Sequence, residues 1–152
     1  MPQRILISTY GSLGDLFPYL AIAKELQARG HHVVVGASAC YRSRVEGEEL
    51  EFTPIRPGCD WVGDAARLRY MSHPRWGSTR AIRLLLAHLR ETYTDTLAAS
   101  RNADLIIGCM VNYALRFIGE LHDIPWVSAM HLPVGFWSAH DPPLIPGFPE
   151  PS

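Results

Sequence analysis

Between Ile5 and Gly36 an apolar run, a glycine turn, an apolar-striped stretch and a second apolar run follow one another, and few folds accommodate that order. Residues 4–9 are rich in Ile and of the length of a strand buried on both faces. The turn is Gly11-Ser12-Leu13-Gly14-Asp15. After it, Leu16, Leu20, Ala23 and Leu26 recur at helical spacing and make one apolar stripe for packing on a sheet. Proline suits a first helical turn, so Pro18 places the helix start at residues 15–17. Gly30 supplies a left-handed cap, and residues 32–35 resume as a β-branched strand. This is a βαβ unit, whose crossover is right-handed.

The alternation continues. A short helix is expected over residues 41–47, a third strand over 50–54 and an irregular stretch over 56–75, where Pro57, Gly58 and Pro74 interrupt any long element. One long helix is expected over 76–100, with Ile82, Leu85, Leu86, Leu89, Tyr93 and Leu97 on its apolar face. Strand four falls at 104–108, a helix at 113–122 and strand five at 126–129. Residues 131–152, with five prolines after position 140, read as a loop or linker. Five strands alternating with helices imply an α/β fold, a Rossmann-like doubly wound parallel sheet, in one domain over residues 1–152. Ligands of such sheets lie beyond the carboxyl ends of the strands, at the switch point. Chemistry is therefore expected after strands one and five.

Composition narrows the function classes. The formal net charge of −1 speaks against nucleic acid as a partner. No run approaches the roughly 20 apolar residues of a membrane span, and the N-terminal apolar run is too short for a signal peptide. The expected location is cytoplasmic, with peripheral membrane contact left open. Cys40, Cys59 and Cys109 form no C-x-x-C pair, which indicates neither a zinc knuckle nor a disulfide framework and suits a reducing compartment. The seven histidines show no metal-ligand spacing, so no metal is expected.

A dinucleotide site needs a third glycine after Gly11 and Gly14 and an acid at the end of the second strand. Neither is present: Val35-Gly36-Ala37 stands where the ribose acid belongs. The Gly-Lys-Ser/Thr of a P-loop is also missing. Asp15 thus has two readings. As an N-cap it is favoured by backbone N–H groups and the helix dipole. Facing the cleft, the same carboxylate can take a proton from a bound hydroxyl.

Three features resemble one known group. They are the G-S-L-G-D turn followed by Pro18, the helix closing in Arg29-Gly30-His31, and Val45-Glu46-Gly47 leading to Leu50-Glu51-Phe52-Thr53-Pro54-Ile55. Ser138-Ala139-His140-Asp141-Pro142-Pro143 adds a weaker echo. In this order they resemble the opening of GT-B glycosyltransferases, in the group of sterol glucosyltransferases, bacterial rhamnosyltransferases and glycopeptide-antibiotic transferases (family 28 N-terminal-like, UDP-glycosyltransferase superfamily). The resemblance implies a Rossmann-like acceptor-binding domain whose companion domain binds a nucleotide-diphosphate sugar. It also implies inverting, metal-independent transfer of a hexose to a hydroxyl of a hydrophobic acceptor (sterol, lipid or natural-product aglycone), with no cofactor. Asp15 takes the role of general base, and Gly11, Ser12 and Gly14 belong to the substrate-binding turn. The donor domain is not among these residues. An N-terminal part of a longer enzyme, or one chain of a split enzyme, is therefore expected, and the chain alone is expected to be inactive. A non-catalytic acceptor-binding or anchoring subunit is the alternative.

Further residues attract attention. His131, after strand five, is placed to orient an acceptor or share a proton at Asp15, or to bond a nearby carbonyl. Phe136 and Trp137, with Trp61, Tyr70 and Trp76, suit a ring-bearing acceptor or cover the core. His140-Asp141 is a poor acid–base dyad, because neighbours in an extended loop point apart. Arg67, Arg69, Arg75, Arg80 and Arg83 form a solvated face or one that meets an anionic membrane surface.

Overall fold

The computed structural model describes residues 1–58 and 64–131. Strands Arg4–Ser8 (β1), His32–Ala37 (β2), Glu51–Pro54 (β3), Leu105–Cys109 (β4) and Trp126–Ala129 (β5) form a parallel sheet in the order β3-β2-β1-β4-β5. Helices Leu13–Ala28 (α1), Arg42–Glu46 (α2), Ala65–Met71 (α3), Gly77–Ala87 (α4), Leu89–Ser100 (α5) and Tyr113–His122 (α6) intervene. This is the expected Rossmann-like doubly wound fold.

Strand alternation sorts the core into two layers. Ile5 and Ile7 join Val33 and Val35 beneath Leu16, Tyr19, Leu20 and Ala23 of α1. Leu6, Val34 and Ile106 face the other way, onto Ala114, Leu115 and Ile118 of α6, with Leu89, Tyr93 and Leu97 of α5 around them. β1 pairs with β2 from Arg4↔His32 to Ser8↔Gly36 and with β4 from Ile5↔Leu105 to Ser8↔Gly108. The chain therefore leaves toward opposite faces after β1 and after β4, and the crevice between those two exits is the switch point.

Three expectations are corrected. α1 begins at Leu13, two residues before the expected start, with Ser12 at its N-cap and Pro18 inside it. Proline there removes one donor, the partner of the Gly14 carbonyl, and the helix runs on through it. The single helix expected over 76–100 is two, parted at His88. The break lets Leu85 pack on the α1 layer while Leu89, Tyr93 and Leu97 pack on the α6 layer; one straight helix could not serve both. The stretch expected to be irregular contains α3, capped by Asp64, whose Oδ1 accepts the N–H groups of Ala66 at 2.9 Å and Arg67 at 3.1 Å.

The cysteines also differ from expectation. Cys40 is disulfide-bonded and Cys109 is a buried free thiol. Spacing along the chain does not report proximity in space, so cysteine usage no longer speaks for a reducing compartment. No helix among the described residues is long and apolar enough to cross a membrane.

Candidate active site

The glycine turn closes on its own carboxylate. Gly11 has φ +114°, a conformation that side chains rarely adopt, and a Cβ there would collide with the Asp15 carboxylate. Ser12 donates to Asp15 Oδ2 twice, from its backbone N–H at 2.7 Å and from Oγ at 3.0 Å. Asp15 is thus the third residue of α1, reaching back to the N-cap in the carboxylate half of a capping box, and not the N-cap itself. The phenol of Tyr41 donates to the Gly11 carbonyl at 3.0 Å and anchors the turn from the α2 side.

His131, two residues beyond the end of β5, meets Asp15. Its Nε2 lies 3.1 Å from Asp15 Oδ1, and the side chains of His131 and Asp15 are 19% and 28% exposed. With the proton on Nε2, His131 is the donor. The Tyr19 ring stands edge-on to the imidazole, 5.5 Å between centroids, while the Tyr19 hydroxyl donates to the Ala129 carbonyl at 2.8 Å. Burial pushes the phenol of Tyr19 well up and that of Tyr41 up, and the negative charge of Asp15 pushes in the same direction. Both therefore remain hydrogen-bond donors. A carboxylate offers about four lone-pair sites. Ser12 and His131 fill three, leaving room for one further donor.

Asp15 opens onto a cavity of about 350 Å³ at the switch point. Tyr10, Gly11 and Ser12 line it from the β1 exit and Val111 from the β4 exit, while Leu68, Met71, Leu84 and Leu85 wall it from α3 and α4. Its wall is mostly apolar, and Asp15 is the one carboxylate among the described residues that line it. His131 touches Asp15 but is not among those lining residues.

A family model describes this arrangement of sequence. The glycosyltransferase family 28 N-terminal domain matches residues 5–135. The chain belongs to that family. This family 28 N-terminal domain is 28% identical over 137 residues to a sterol 3-beta-glucosyltransferase of Sclerotinia sclerotiorum, covering 87% of this chain and 9% of that protein. It is 47% identical over 57 residues to an O-mycaminosyltylonolide 6-deoxyallosyltransferase of Streptomyces fradiae, covering 36% of this chain and 14% of that protein. In fold it is similar to the Streptomyces glycosyltransferase SsfS6, with TM-score 0.67 at 20% identity over 84% of this chain and 39% of that one. It is also similar to the spinosyn rhamnosyltransferase SpnG complexed with thymidine diphosphate, at TM-score 0.63 and 18% identity. The chain thus spans a small part of these curated relatives and about two fifths of SsfS6; it is a GT-B type N-terminal domain.

Of the residues singled out in sequence, Gly11, Ser12, Gly14, Asp15 and His131 come together in this family 28 domain. Phe136, Trp137, Trp61 and the His140-Asp141 pair lie outside the described residues. Tyr70 and Trp76 lie on α3 and just before α4, both exposed. Sequence reading missed the tyrosines: Tyr10, Tyr19 and Tyr41 surround the turn. Tyr19 was legible, one helical turn beyond Asp15 and beside Leu20. Tyr41 was not, because its bond to Gly11 spans 30 residues.

Proposed function

We propose that this domain binds the acceptor of an inverting, metal-independent glycosyltransferase, and that Asp15 is the general base on the acceptor hydroxyl. The observation that carries the reading is Asp15 as the one described carboxylate lining an apolar cavity at the switch point. The acceptor O–H would take the vacant lone-pair site on Asp15. As its oxygen bonds to the anomeric carbon, the proton passes to the carboxylate. The nucleoside diphosphate leaves from the opposite face with the bonding pair, which inverts the centre. Ser12 holds one carboxylate oxygen, and His131 orients the other. The apolar walls from α3 and α4 suit a hydrophobic acceptor. The donor would be a nucleotide-diphosphate sugar held by a second domain or partner chain; SpnG and SsfS6 have been solved with thymidine diphosphate.

In the complete enzyme, Asp15→Asn is expected to lower kcat roughly 10²–10⁴-fold, the contribution of a positioned base. The unfolding free energy should change by less than about 1 kcal/mol, because the amide oxygen still accepts from Ser12. His131→Ala should cost less, since it acts through Asp15, and chelation of divalent ions should leave turnover unchanged. An Asp15→Asn enzyme within a few-fold of normal kcat would overturn the assignment and favour the non-catalytic subunit.

A further inference from the structure

A second cavity, about 530 Å³, adjoins the first and shares Pro57, Met71 and Leu84 with it. Its chemistry is different. Arg67, Arg80 and Arg83 line it with His88, and no carboxylate does so among the described residues. The three guanidiniums are not equally engaged. Arg80 donates to the Tyr70 carbonyl at 2.7 Å and lies 3.9 Å over the Tyr70 ring, which fixes its fork in place. Arg67 has a loose contact of 3.9 Å with Asp64, whose other oxygen caps α3. Arg83 has no ion pair or side-chain hydrogen bond among the described residues. Like charges gathered in one concavity are unfavourable without a counter-charge, and planar guanidiniums suit carboxylate, phosphate or sulfate oxygens. The apolar walls continue from the Asp15 cavity into this one, so a single extended molecule could reach both.

We propose that the acceptor carries an anionic group, with Arg80 and Arg83 holding it while the hydroxyl to be glycosylated sits at Asp15. The basic face of α3 and α4 is then a specificity element. This inference rests on the acceptor-binding reading above. It restricts the substrate class to amphipathic molecules with a hydroxyl and an acid separated by an apolar body. Arg67 adds to the local field from α3.

Two probes of matched length test it in the full-length protein by calorimetric titration: 12-hydroxydodecanoic acid and dodecane-1,12-diol. The acid is expected to bind at least about tenfold more tightly, a difference of about 1.4 kcal/mol. Arg83→Gln with Arg80→Gln should bring its affinity down to that of the diol while leaving the diol unchanged. Rising salt should narrow the difference. If the diol binds as tightly as the acid, the anionic inference falls and the acceptor reading stands. If neither binds, both fall. A preference for the acid that survives the double substitution also overturns the assignment. Phosphatidylglycerol vesicles supply the remaining arm against phosphatidylcholine ones. Vesicle binding that depends on the arginines, with equal affinity for the two probes, would assign the face to a membrane surface instead.

Discussion

Gly11 and Asp15 are fitted to each other. The backbone at Gly11 has φ +114°, and the space where its Cβ would stand holds the Asp15 carboxylate. Gly11→Ala therefore strains the backbone by about 1–3 kcal/mol and pushes the carboxylate off Ser12. Under the proposed mechanism the displaced oxygen no longer meets the acceptor hydroxyl. The expected outcome is a kcat/KM more than tenfold lower in the complete enzyme, with a lowered urea midpoint. Unchanged kcat/KM would show that the position of Asp15 is not critical. At this scale the sequence was informative about which residues meet and less so about how. The turn announced Asp15, but Pro18 argued for a later helix start and hence for an N-cap. The helix instead begins at Leu13 and accepts proline in its second turn, so Asp15 points back over Ser12.

The loop after β3 is the element that holds both cavities in register. Arg56 grips α5: its Nε and Nη2 donate to Asp95 Oδ2 and Oδ1 at 2.8 and 2.7 Å, and its backbone N–H adds a third bond to Oδ2 at 3.0 Å. Thr92 donates to the Arg56 carbonyl and Ser38 to the Pro57 carbonyl, each at 2.7 Å. Pro57, which lines both cavities, is thereby held to the residue that follows β2 and, through its neighbour Arg56, to α5. The hydrogen bond from Arg56 holds the Asp95 carboxyl below its usual range. A depressed carboxylate stabilises the fold above the unfolded pKa and stops doing so as pH falls through the folded one. Asp95→Asn should lower Tm by a few degrees at neutral pH, and the deficit should narrow below about pH 4. A deficit independent of pH would assign the loss to packing.

None of this long-range tethering was visible along the chain, because Arg56 and Asp95 are 39 residues apart. α3 was better signalled than the reading allowed: Asp64 before Ala65-Ala66-Arg67-Leu68 is a capped helix start. The nearby prolines outweighed it. The break at His88 carries no glycine or proline, and only the need to face two core layers explains it.

Across the molecule, topology was the most legible property. Apolar runs separated by helical periodicity fix a parallel sheet, and the handedness rule then leaves few orders for five strands. The carboxyl edge of that sheet carries three phenols around the glycine turn, those of Tyr10, Tyr19 and Tyr41. Burial pushes Tyr10 and Tyr19 well above the usual range and Tyr41 above it; Cys109 adds to the shift at Tyr10 and Tyr19, and Asp15 to that at Tyr19 and Tyr41. An unfolded chain ionises its tyrosines near pH 10, whereas the folded one resists. The sign follows from proton linkage: stability is fully present below the unfolded value and declines as pH rises above it.

Tyr10 contributes most cleanly to that decline. It is 6% exposed, and its hydroxyl lies near Thr92, Thr96 and Ser8 without a well-formed hydrogen bond to any of them. Tyr10→Phe removes the ionisable group and an unsatisfied oxygen at once, and a buried group without a partner costs about 1–3 kcal/mol. The variant should match or exceed the parent in urea midpoint at neutral pH, and its advantage should grow above about pH 10. A midpoint lower than the parent's at neutral pH would mean that the hydroxyl is bonded after all. The polar cluster beneath the glycine turn would then be a fully satisfied network that supports the position of Asp15.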